Sequence, residues 1–293
     1  VRLKETDFAG VFDGKGHTIS CLKISDSKHA GLFGYSSGTI KNLYLENVQI
    51  SSWNGIGAIC AYNSGTIEAC GVESGTLETA GSNGGNIGGI CENNSGTGTI
   101  SKCYNMANIV GGSENGGICA LNDKDATITY CYNGGSIAAD SGISNGGICS
   151  KNSGTVLNCL NFGKLASKTE NKANYYGICG DGTGKIAYCF NDKDVSNVSA
   201  LGAINSGSSN YAQNMTTAEI CSTLAKGILA NNLDLNKDVW SAGTISTSDD
   251  PDHPDTRFKM VSYTYPSITG VSKQAHTTGP VKAYAFGKTV SDE

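Results

Sequence analysis

Proline is nearly missing from this chain: only 4 of 293 residues are proline, and all four fall at or after Pro251. Proline cannot donate to a β ladder, so 250 residues without one suit an uninterrupted stack of strands. Charge is sparse too, at 16% of residues with a net of −5. That balance excludes the basic footprint of a nucleic-acid binder. No apolar run approaches the roughly 20 residues of a membrane-spanning helix. The chain opens at Val1 with neither an initiator methionine nor a signal-peptide pattern, which reads as an excised fragment whose address is not informative.

What fills the chain instead is repetition, rich in its 40 Gly and 12 Cys. A phrase of Ile-Cys (Gly-Ile-Cys in four units, Gly57-Ala58-Ile59-Cys60 in the first), a polar turn, a β-branched residue and a second Cys recurs five times. The first Cys stands at Cys60, Cys91, Cys119, Cys149 and Cys179, the second at Cys70, Cys103, Cys131, Cys159 and Cys189. Successive steps are 31, 28, 30 and 30 in the first series and 33, 28, 28 and 30 in the second. A period near 30 residues with fixed landmarks means one structural unit stacked on copies of itself. Each unit offers three short β-type segments between Gly, Asn and Ser turns and no amphipathic helical pattern. The expected fold is therefore all-β, a right-handed parallel β-helix of about seven coils over residues 1–210. Coils stacked at ~4.8 Å would make a rod some 30–35 Å long.

The opening segment, Phe8-Ala9-Gly10-Val11-Phe12-Asp13-Gly14-Lys15-Gly16-His17-Thr18-Ile19, leads into Gly31-Leu32-Phe33-Gly34 and then Gly38-Thr39-Ile40-Lys41-Asn42-Leu43. This resembles the GLUG-motif repeat family of bacterial cell-surface proteins, whose repeats also occur in the non-catalytic N-terminal region of some immunoglobulin A peptidases. The resemblance runs over residues 8 to 205. It implies a surface-exposed β-helix with adhesion as its role, and it carries no catalytic residue set. The departure is Cys where the first unit has Phe33 and Leu43.

Beyond Tyr211 the pattern stops. Thr216 and Glu219 resemble a helix start, with apolar residues at helical spacing from Ile220 to Leu229. Val239-Trp240 and Tyr263 to Ile268 read as short strands, so 211–270 is expected to be a small α+β cap and 271–293 a tail or linker.

Ten periodic cysteines admit three readings. Zinc sites want close pairs that are absent, and neighbouring coils only marginally meet the separation a disulfide needs. Buried reduced thiols packing as small hydrophobes are the favoured reading, which suits a reducing habitat. Asn105, Asn133, Asn161 and Asn191, like Asn63, Asn94, Asn122 and Asn152, are expected to stack as structural ladders. Tyr104, Tyr132, Leu160 and Phe190 follow the second Cys. Strand alternation either turns them outward as a stripe that Tyr104, Tyr132 and Phe190 offer to sugar rings or a partner protein, or buries them.

Carboxylates need weighing because two of them could hydrolyse a glycosidic bond. Asp123, Asp125, Asp181, Asp192 and Asp194 sit in polar turns among Lys124 and Lys193, which favours solvated loops. The run Asp249, Asp250, Asp252, His253 and Asp255 lacks calcium-loop spacing. None of His17, His29, His253 and His276 lies in an HExxH motif. The expectation is a secreted or wall-attached bacterial surface module without cofactor or metal, binding a glycan or a host or microbial surface protein. A polysaccharide-degrading β-helix enzyme and a passive stalk are the alternatives. An exposed terminal coil could also pair end to end with another copy.

Overall fold

The computed structural model describes residues 7–26, 28–80, 85–139, 144–166, 174–204, 212–225, 239–241, 243–249, 258–271, 273, 276–278 and 281–284. They form two compact units, Val1–Met215 and Thr216–Glu293. The first is a right-handed parallel β-helix, the sense that parallel crossovers adopt.

Each coil visits the same sheets in the same order. One sheet has seven parallel strands: Val11–Asp13, Thr39–Lys41, Thr66–Glu68, Thr99–Ser101, Thr127–Thr129, Thr155–Leu157 and Lys185–Ala187. Six full turns therefore separate its first strand from its last. The register aligns Phe12, Ile40, Ile67, Ile100, Ile128, Val156 and Ile186 in one inward column. An eight-stranded sheet follows, from Thr18–Ser20 to Ala212–Met215, then a five-stranded sheet centred on Ile50, Leu77 and Ile109. A second five-stranded sheet, with Ile56 and Ile87 inward, leads to a seven-stranded sheet running from Phe33–Ser36 through Cys60–Asn63 to Leu201–Ile204. We call the last the Cys60 sheet and the eight-stranded one the Asn105 sheet.

The corner between the Ile40 column and the Asn105 sheet has a fixed chemistry. Asn42, Ala69, Lys102, Tyr130, Asn158 and Tyr188 all adopt left-handed backbone there, with φ between 53° and 56°. Five of these six immediately precede a second-series cysteine, and Asn42 precedes Leu43 at the equivalent place. The thiol of Cys70, Cys103, Cys131, Cys159 or Cys189 then donates across the corner to the carbonyl two residues back, at 3.1–3.3 Å. Cys fits because it is small enough for the core and still carries a donor. Every one of the ten periodic cysteines is a free thiol, buried in the core.

Asparagine columns do for the turns what thiols do for the corner. Asn105, Asn133, Asn161 and Asn191 are buried, and each side-chain amide donates to the side-chain carbonyl of the next coil, ending on Asn214, at 2.8–3.0 Å. Asn63, Asn94 and Asn122 do the same at 2.8–2.9 Å, their column ending on the side-chain carbonyl of Asn152. The second amide hydrogen of most of these residues goes to a carbonyl of their own turn, as in Asn105 to Ala107 and Asn133 to Gly135. The polar groups are thus satisfied without water, which burial requires.

The helix extends past the boundary at 210 read from the sequence, because Ala212–Met215 still pairs with Cys189–Asp192. In the second unit Thr216 and Glu219 form a reciprocal capping box, with bonds of 2.7 and 3.1 Å. The helix Thr217–Ala225 packs on an antiparallel pair, Thr244–Asp249 with Phe258–Thr264. Trp240–Ser241 pairs with Ser267–Ile268. The stretch expected to be a tail contributes a strand, Val281–Tyr284, that pairs with Phe258–Val261. Its alternation of Val281 and Ala283 with polar neighbours was too short a signal to separate from linker. Residues 226–238, and the acidic run from Asp250 to Asp255 with His253, lie outside the described residues.

Candidate functional site

Of the two placements that alternation left open for the aromatic stripe, the structure has the buried one. Tyr104 and Tyr132 are fully buried and Phe190 is 2% exposed, so these rings present no surface to a ligand. They do lie outside the apolar core cluster, on the outer side of the wall. The cause is the glycine on the neighbouring coil: a Cβ on Gly71 would stand 2.3 Å from the Tyr104 ring, so that ring lies flat in the trough the glycine leaves. Tyr104 then stacks on Tyr132 at 5.0 Å and Tyr132 on Phe162 at 5.6 Å, while the Tyr104 hydroxyl donates to Glu73.

The acidic turns do not converge either. Asp123 follows a strand of the Cys60 sheet, whereas Asp192 belongs to the Asn105 sheet. Asp181 accepts from the amide of Gly182 at 2.7 Å and Asp192 from that of Asp194 at 2.9 Å, so both brace turns.

The exposed aromatics among the described residues lie elsewhere: Tyr188 at a corner, Tyr35 on the Cys60 sheet and Trp53 between the two five-stranded sheets. The outer column of the Cys60 sheet reads Tyr35, Tyr62, Asn93, Leu121, Lys151 and Asp181. Tyr35 is 41% exposed and stacks on half-buried Tyr62 at 4.9 Å. Trp53, in the loop after Val48–Ser52, is 62% exposed.

Beneath the tyrosines sits a buried carboxylate. Glu92 is 5% exposed and receives His29 Nδ1 at 2.7 and 2.9 Å on its two oxygens. The Tyr62 hydroxyl lies 3.1 Å from His29 Nε2, and the two rings meet edge to face at 4.8 Å. Burial raises the Glu92 carboxyl above its ordinary value, and its bond to His29 opposes that rise. Burial, reinforced by Glu92, pushes the Tyr62 phenol up to about 12, so it is not a ready nucleophile. Gly55 makes room for this cluster: a Cβ there would stand 2.0 Å from the Glu92 carboxylate.

This constellation escaped the sequence reading because its members lie up to 63 residues apart. One signal was available. The position after the first cysteine holds Ala61, Ala120, Ser150 and Gly180 in other coils, all buried. Glu92 is a charged residue in a column of small ones, and such an exception needs a partner.

No family model matches the chain. It is similar to Halomucin of Haloquadratum walsbyi, 42% identical over 65 residues, which is 21% of this chain and spans only about 1% of that protein's length. Among solved structures it is similar to one described as "a putative immunoglobulin A1 protease" from Bacteroides ovatus. That likeness has a TM-score of 0.55 and 19% identity, and covers 88% of this chain and 76% of the other. At such identity the likeness shows the fold, a parallel β-helix. No helix among the described residues is long and apolar enough to cross a membrane.

Proposed function

We propose that this chain is a non-enzymatic surface module, a GLUG-like repeat scaffold that presents a glycan- or protein-binding face on the outer side of the Cys60 sheet. One observation carries the reading: the inward columns repeat the same residue types coil after coil, while the outer column, after the pair Tyr35 and Tyr62, changes at every step through Asn93, Leu121 and Lys151 to Asp181. Constant interior and varied exterior suit a scaffold for display. The exposed Tyr35 and Trp53 supply aromatic surface of the kind that engages sugars and partner proteins. The similarity to Halomucin supports a secreted or cell-surface setting.

A glycan-array screen of the purified chain, followed by depolymerisation assays on every hit, tests it. Saturable binding without cleavage, weakened at least tenfold by Tyr35→Ala with Trp53→Ala, is the expected result. Binding indifferent to both substitutions would place the site elsewhere. The rival, a polysaccharide-degrading enzyme, is favoured by the hydrogen-bonded Tyr62–His29–Glu92 set. Cleavage abolished by Glu92→Gln would establish it.

A further inference from the structure

The core holds a second constellation that the outer face does not use. Cys60, Cys91, Cys119, Cys149 and Cys179 are paired in register from coil to coil. Cys70, Cys103, Cys131, Cys159 and Cys189 each precede residues that are likewise paired coil to coil. All ten thiols are free and at most 1% exposed. Register therefore sets each thiol of a column directly over the equivalent thiol of the next coil, as with Cys91 over Cys60 and Cys179 over Cys149. Carbonyl oxygens line the same space: Cys119 Sγ lies 3.2 Å from that of Leu121 and 3.7 Å from that of Glu92.

Spacing decides what this arrangement can hold. In-register residues on adjacent parallel strands stand about 4.8 Å apart. A disulfide wants its Cβ atoms near ~3.8 Å, so closing one would drag two coils together. A metal ion midway between two sulfurs, at a metal–sulfur length of about 2.3 Å, spans roughly 4.6 Å and leaves the coils where they are. Sulfurs in a line cannot supply the tetrahedron that zinc takes. Consistently, no group of three or more metal-ligating side chains converges among the described residues.

We propose that each cysteine column binds soft monovalent d10 cations, Cu(I) or its redox-inert counterpart Ag(I), two-coordinate between the sulfurs of adjacent coils. Soft thiol ligands select such ions. Each ion displaces one thiol proton to solvent while the partner sulfur keeps its own. The sulfur–metal–sulfur unit is then neutral, as a dry core demands. This departs from the sequence expectation of no metal, which weighed only tetrahedral sites.

Counting gives the test. Five thiols in a line make two adjacent pairs, so two columns hold four ions per chain. In a Cys21→Ser, Cys221→Ala background, the full chain is refolded anaerobically in chloride-free buffer with excess Ag(I). Bound silver is counted by native mass spectrometry, and circular dichroism checks the fold. The expected count is four. Cys131→Val leaves the pairs 70–103 and 159–189 and keeps four, whereas Cys103→Val leaves one pair in its column and drops the count to three. Cys119→Val against Cys91→Val repeats the contrast in the other column. Equal counts for middle and off-centre substitutions, more than four ions, or none retained by the folded chain would each overturn the proposal.

Discussion

A left-handed corner residue stands before every second-series cysteine, and only two of the six corner positions carry asparagine. A side chain with Cβ costs roughly 1–2 kcal/mol in that conformation, less for asparagine. Tyr188, with φ 56° and its ring at the surface, is the clearest misfit. Tyr188→Asn is expected to stabilise the helix by about 0.5–1 kcal/mol, seen as a higher urea midpoint with an unchanged slope. The opposite outcome is expected inside the asparagine columns. Asn133→Leu leaves the Asn105 amide and the Asn161 carbonyl without their neighbour, which costs roughly 1–3 kcal/mol per orphaned group. The same denaturation experiment measures it.

Among elements, the Cys60 sheet carries the buried carboxylate of Glu92 in its wall. Glu92 has a raised carboxyl, so the unfolded chain releases its proton first as pH rises. Its stabilising share is complete below the ordinary carboxylate range, near pH ~4.5, and is lost as pH climbs through the raised folded value. Thermal midpoints should therefore fall over that window in the native chain and stay flatter in Glu92→Gln. Gly55→Ala, which pushes a methyl into the same carboxylate, should lower the midpoint at every pH. The columns were legible in the sequence because a thiol, an asparagine and an isoleucine recurring near every 30 residues leave little choice but stacking. The outer surface was not legible. Alternation left Tyr104 either outward or in the core, and whether its ring meets water depends on Gly71, which sits on another coil and carries no periodic mark. His29 lies off the repeat altogether, so nothing local ties it to Glu92.

At the scale of the whole helix, each coil meets its neighbours through the same registered columns, so coils are interchangeable parts. Cys119 pairs with Cys149, which means that deleting residues 120–149 removes one complete turn and rejoins matching edges. That shortened chain is expected to keep its β-type circular dichroism and a cooperative melt at a lower midpoint, whereas deletion of residues 120–134, half a turn, should abolish both. The direction of the interstrand bonds has a mechanical consequence. They run along the axis from coil to coil, so tension along that axis loads one ladder after another in series and the chain yields by peeling. Pulled in an optical trap, the helix should give a train of small, evenly spaced force steps, each paying out about 30 residues. It would stretch far and dissipate work before any single contact at its surface felt the full load.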